Sequence, residues 1–267
     1  MHRTKTIIIS VIILVFVINV DAREKDLLFS AGAGISYVTI HDNNFSVMSY
    51  TGITGLASLS ITTETSAYID ELSLFFGKGK LNMDVSSGTA RPNTALTAGA
   101  IDYTYVRKLK NKTNTHRQFF PGGKFSSSVG FYKRNYYGDN FYYCYQSSIG
   151  PALIVHQSIG EKCRWQVSSQ VDFSIAAYIV YPAYGSSMPE NLLDKELSGI
   201  TAWDYMAGGE MVTLNRFQRI TCKTGISYAL CKKLSLMLLY SWDFHHLKHG
   251  DDMIQAMHNA CFSLILH

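Results

Sequence analysis

Two adjoining stretches decide how the chain is read: Phe217 to Leu230, FQRITCKTGISYAL, and Leu234 to His245, LSLMLLYSWDFH. In the first, Ile220, Cys222, Ile226, Tyr228 and Leu230 hold even positions, while Arg219, Thr221, Lys223, Gly225, Ser227 and Ala229 hold odd ones. In the second, Leu234, Leu236, Leu238, Tyr240, Trp242 and Phe244 alternate with Ser235, Met237, Leu239, Ser241, Asp243 and His245. Successive side chains of a β-strand point to opposite faces, so each stretch is a strand with one greasy face and one polar face.

The alternation spreads outward along the chain. Between 164 and 180 the odd positions carry Trp165, Val167, Val171, Phe173, Ile175 and Ile179, opposed by Arg164, Gln166, Ser168, Gln170, Asp172 and Ser174. Phe29, Ala31, Ala33, Ile35 and Tyr37 oppose Ser30, Gly32, Gly34 and Ser36 in the same way. Ten strands are predicted, over 27–41, 50–62, 66–78, 94–108, 122–134, 140–157, 163–181, 216–230, 232–247 and 253–266. Each is at least as long as the roughly 9–11 residues with which a tilted strand crosses a bilayer. An even number of strands brings both chain ends to one side of a closed barrel. Short connections such as 160–162 alternate with long ones at 79–93 and 182–215, although the long basic 109–121 segment breaks that rule. The expected fold is all-β, a ten-stranded antiparallel up-and-down transmembrane β-barrel.

Composition agrees with a packed or lipid-exposed body. Of 267 residues 47% are hydrophobic and only 16% charged, against roughly 25% charged in soluble domains. Residues 1–22 read as a signal peptide: basic His2, Arg3 and Lys5, an apolar stretch from Ile7 to Val20, then Val20-Asp21-Ala22. An uncleaved anchor is the alternative, but the stretch is short for a spanning helix, which needs roughly 20 residues. Beyond Ala22 the barrel domain is expected over 23–267, with 22 basic and 19 acidic residues. So small an excess predicts no nucleic-acid partner. Cys144, Cys163, Cys222, Cys231 and Cys261 are odd in number and lack metal-ligand spacing, so neither a disulfide framework nor a metal site is expected.

A soluble sandwich or lipocalin-like barrel would alternate similarly. Its polar face, however, would meet water and carry Lys, Glu and Asp, whereas here that face is mostly Ser, Gly, Thr, Ala and Gln, which suit a confined lumen. Trp165, Tyr103, Tyr105, Tyr143, Tyr145, Tyr240 and Trp242 lie on the greasy face toward strand ends, as interfacial girdles do.

Ser49-Tyr50-Thr51-Gly52, Asp102-Tyr103-Thr104-Tyr105, Pro121-Gly122-Gly123, Ser148-Ile149-Gly150-Pro151 and Tyr240-Ser241-Trp242-Asp243-Phe244 make the mature chain similar in pattern to small outer-membrane β-barrel proteins of the Bacteroidota. That resemblance implies residence in the bacterial outer membrane after leader cleavage. Its implied partners are outer-membrane lipid and the barrel-assembly and periplasmic chaperone machinery. Such barrels usually end on an aromatic residue, where this chain closes on His267.

With the greasy parity on lipid, the opposite parity fills the lumen and assigns Glu71, Asp102, Lys124, Arg134, Asp172, Arg219, Lys223 and Asp243 to an internal ion-pair network. Paired charges would obstruct so narrow an interior and disfavour a large general porin. A structural or binding role through extracellular loops is expected; the alternatives are a narrow solute pore and an omptin-like rim hydrolase. The catalytic candidates for that hydrolase are Asp243, His245, His246, Asp251 and Asp252, since carboxylates beside imidazoles can act as general bases. Enzymatic activity is the less favoured outcome, and no cofactor is expected. The 182–215 loop supplies Tyr184, Trp203 and Tyr205 as binding candidates, or else forms a lid across the barrel mouth. No nucleotide, zinc-protease or serine-hydrolase motif is present.

Overall fold

A computed structural model describes residues 26–43, 46–83, 93–109, 117–134, 141–160, 164–181, 201–249 and 251–267. The predicted leader and Cys163 lie outside these residues. Extended backbone runs through β1 (Asp26–Asp42), β2 (Ser46–Glu64), β3 (Tyr68–Met83), β4 (Asn93–Arg107), β5 (Arg117–Arg134) and β6 (Phe141–Ile159). It continues in β7 (Trp165–Phe173), β8 (Ala176–Val180), β9 (Glu210–Thr213), β10 (Phe217–Cys231), β11 (Leu234–His249) and β12 (Asp251–Leu266), with helix α1 (Ala202–Ala207) before β9.

Each strand pairs antiparallel with its neighbour, and β1 closes the circle against β12 from Phe29↔Leu266 to Asp42↔Met253. β6 pairs with both β7 and β8, so those two form one wall strand; β8 pairs with β9 and β7 with β10, so β9 and β10 form the next. The result is the expected ten-stranded closed barrel. The end holding Asp26 and Leu266 is called proximal and the other distal.

The greasy parity faces out. Leu238 is 59% exposed and Ile53 62%, and Phe29, Ile35, Leu59, Phe76, Ile101, Ile149, Val171 and Phe262 are exposed around the same belt. In water, so continuous an apolar surface would be strongly unfavourable; against acyl chains it has no such cost. Tyr37, Tyr240 and His258 gather at the distal edge of the belt, where the Tyr240 hydroxyl lies 2.8 Å from His258 Nδ1. Trp165 and Tyr228 pack at 4.6 Å near the proximal edge. Aromatic side chains with a polar tip belong at such boundaries. Among the described residues no helix is long and apolar enough to cross a membrane.

The seventh wall strand departs from strict alternation. β6 pairs Ala152 with Asp172 but Ile149 with Ala176, so one extra residue sits on the β7–β8 side. A bulge of this kind reverses the parity beyond it. Ile175 is therefore 45% exposed whereas Ile179, placed with it on the outer face by sequence alternation, is 4% exposed and turns inward. Backbone groups at the break remain satisfied: Ser174 N donates to Arg219 O at 3.0 Å and Ile175 N to Ile149 O at 2.9 Å.

Gly150 admits the bulge. A Cβ there would stand 1.8 Å from Phe173 O, whereas one at Gly55 would come no closer than 3.8 Å to Lys78 O. Gly150→Ala should therefore lower the heat-modifiable folded fraction on refolding into detergent several-fold, while Gly55→Ala leaves it unchanged; equal yields would contradict this reading of the kink.

Other boundaries also shift. β3 runs on to Met83, β5 begins at Arg117 rather than at Gly122, and 182–215 is not all loop, since it contains α1 and β9. The strands expected over 232–247 and 253–266 run further toward each other, with β11 and β12 paired out to His249↔Asp251.

Candidate functional site: the charged lumen

The inward parity builds three layers. The distal layer is apolar: Val38, Ile40, Tyr50, Leu81, Leu96, Tyr132 and Tyr142 form one buried cluster, and Ala177, Ile179, Val212, Phe217, Leu247 and Met253 a second. Tyr181 packs against both and so joins them. Asp42 is buried in this layer, where the Tyr142 hydroxyl donates to its carboxylate at 2.7 Å and the Tyr181 hydroxyl donates to the same oxygen. At the proximal end Ile69, Val106, Phe120, Ala152 and Ile154 form a smaller apolar cluster.

Between these layers lies a charged belt. Lys124 Nζ stands 3.1 Å from Asp102 and 3.2 Å from Asp172. Lys223 Nζ reaches Asp102 from β10 at 3.3 Å and lies 5.0 Å from the centre of the Phe75 ring. The Arg219 guanidinium forks onto Asp243, with Nε donating at 3.1 Å, and its Nη1 donates to Ser126 Oγ on β5 at 2.9 Å. Ser126 donates in turn to Asp102 at 2.6 Å, and Gln170 donates to Asp172 at 3.2 Å. Because β10 and β4–β5 stand on different parts of the wall, these bonds tie the barrel across its interior. Buried charges persist only when paired and hydrogen-bonded, and a bidentate guanidinium adds direction as well as charge.

Of the residues assigned to the lumen by sequence, Asp102, Lys124, Asp172, Arg219, Lys223 and Asp243 stand together here. Glu71 accepts from the Ser73 hydroxyl on its own strand. The Arg134 side chain lies outside the described residues.

The His and Asp candidates are separated by strand geometry. Asp243 and His245 point inward and are buried, while His246 takes the opposite face, where its Nε2 is 3.6 Å from Asp252 Oδ1. The Asp251 side chain lies outside the described residues. No group of three or more potential metal ligands occurs among the described residues.

Tyr184 and the Trp203 side chain also lie outside them. Tyr205, on α1, packs edge-on against Tyr143 at 5.2 Å, and the Tyr178 hydroxyl donates to Met206 O. Tyr143 is on the outward parity of β6, next to inward Tyr142, so α1 rests on the outer wall rather than across the mouth. Thr201 and Asp204 form a reciprocal capping box that starts the helix there.

Sequence alternation missed the apolar plugs. The available signal was an apolar residue on both parities near strand ends, as in Ile35-Ser36-Tyr37-Val38 leading to Ile40, because a strand covered on both faces loses its polar face.

No family model and no curated protein matches the chain. Among solved structures it is similar to the outer membrane protease OmpT from Escherichia coli, with a TM-score of 0.55 and 8% identity over 91% of this chain and 95% of that one. At that identity the likeness is one of fold: a bacterial outer-membrane β-barrel. The translocator domain of autotransporter NalP from Neisseria meningitidis (TM-score 0.41, 7% identity, 100% of this chain and 95% of that one) and Neisserial surface protein A (TM-score 0.39, 9% identity, 91% and 99%) superpose more loosely.

Proposed function

We propose that the chain is an integral protein of the bacterial outer membrane, exported by a leader cleaved after Ala22, whose barrel is a closed scaffold presenting its distal loops to the exterior. The single observation that carries this reading is the filled lumen: buried apolar clusters toward both ends and a cross-braced ionic belt between them, inside a wall whose outer surface is greasy. Such a body is suited to structural or binding work at its surface rather than to bulk solute flow. Lipid, periplasmic chaperones and the assembly machinery are the partners that insertion requires. The Bacteroidota origin rests on the sequence stretches quoted above.

OmpT is named as a protease, which brings the rim-hydrolase reading to this chain. Asp243 is engaged by Arg219, and His246 lies on the other face from His245, where it meets Asp252 at 3.6 Å, so the described acid and imidazole groups of that segment are split between the two faces of the wall. The apolar clusters and ion pairs that occupy the lumen likewise speak against the narrow pore.

In planar bilayers the inserted barrel should show no steady conductance. A stable, reproducible open channel from correctly folded protein would overturn the closed-scaffold reading.

A further inference from the structure

Inside the lumen, between the distal plug and the ionic belt, lies a cavity of about 130 Å³. Its walls differ in character. Val38, Leu56, Phe75, Leu96 and Ala98 make one side apolar, while Lys223, Arg219 and Asp243 from the belt form part of the other. Among the other polar residues that line it are Ser36, Thr221 and His245, whose hydroxyls and Nδ1 are buried. Each of these residues is 3% exposed, and none of the three atoms has a hydrogen-bond partner. Thr221 and His245 are diagonal neighbours across the β10–β11 pair, since Thr221 stands opposite Asp243 and Arg219 opposite His245.

An unpartnered buried polar atom is costly, so three at residues around one cavity point to something that completes them. Water alone suits the polar side but finds no partners on the apolar one, and apolar cavities of about 150 Å³ take up a single aromatic ring. We propose that this cavity is a binding site for a small neutral amphiphile, about the size of one six-membered ring, whose hydroxyl meets Thr221 and His245 while its body lies against Phe75, Leu96 and Ala98. A hydroxyl both donates and accepts, so it serves either tautomer of His245. The site goes beyond the closed-scaffold role and does not depend on whether the lumen conducts.

The test is fluorine NMR of 4-fluorophenol with the folded full-length barrel in detergent, with fluorobenzene as the probe lacking the hydroxyl. The expected result is saturable fluorophenol binding, about tenfold tighter than fluorobenzene, which is what one to two hydrogen bonds supply. Thr221→Val keeps the shape and should erase most of that preference. Gly77→Leu should abolish saturable binding of both probes, because a Cβ at Gly77 meets nothing closer than 3.8 Å and the added side chain enters the cavity. Ala98→Leu fills the same space from β4 should the first variant not fold. Non-saturable partitioning that is identical in the wild type and the filled variants, or no preference for the hydroxylated probe, would overturn the proposal. Neither readout uses conductance, so its failure and failure of the closed-scaffold reading are separate results.

Discussion

Arg219→Met should destabilise the barrel by about 3–5 kcal/mol, the range for stripping one partner from a buried ion pair. Methionine fills much of the same volume but leaves Asp243, 7% exposed, without the guanidinium that forks onto it, and removes the bond to Ser126 across the lumen. Asp102 and Asp172 then face the deficit too, because the belt holds its carboxylates with only three cations among the groups described: Lys124, Arg219 and Lys223. Urea unfolding from phospholipid vesicles reads the loss as a lower midpoint. Adding Asp243→Leu to that variant should restore most of the stability, since exchanging a buried pair for well-packed apolar residues is often neutral or better. A single-variant loss below about 1 kcal/mol would mean that the belt is hydrated and not a structural brace.

Leu238→Arg should cost about 2–4 kcal/mol, the range for a guanidinium on the lipid face near the bilayer midplane. Leu238 pairs with Phe262, which pairs with Ala33, so it lies within the belt well below the Tyr37–Tyr240–His258 girdle. The same substitution at Thr39, on the outward parity of β1 beyond Tyr37, should have little effect because its side chain lies past the girdle. Vesicle unfolding separates the two, and equal losses at both sites would place the lipid boundary elsewhere.

Much of this architecture was legible because a period of two is hard to disguise. Ile220, Ile226, Leu236 and Leu238 reported the outer face directly, and the same parity count sent Asp102, Lys124, Asp172, Arg219, Lys223 and Asp243 inward, where they meet. What alternation could not report is depth along the strand. Val38, Leu96, Tyr132, Phe217 and Leu247 sit on the inward parity near the distal end, where the lumen is an apolar plug and no polar residue is required. Nor does alternation survive an inserted residue: the β7–β8 bulge carried Ile179 from the outer face to the inner one, and its cause, the bare backbone of Gly150 beneath Phe173, is a contact between strands and not a feature of either alone. The His and Asp run at 243–252 reads differently in the chain and in the fold for a related reason. Nearness in sequence suggested a cluster, but in an extended strand neighbours point apart, so His245 and His246 occupy opposite sides of the wall.

In a bilayer the greasy side chains touch lipid and their sequence neighbours do not. Single tryptophans at Leu236, Met237, Leu238 and Leu239, in a chain whose Trp165, Trp203 and Trp242 are replaced by phenylalanine, can be read for quenching by brominated lipid. Strong quenching at 236 and 238 with little at 237 and 239 is the expected result. Quenching that is uniform along the four positions, or strongest at 237 and 239, would contradict it.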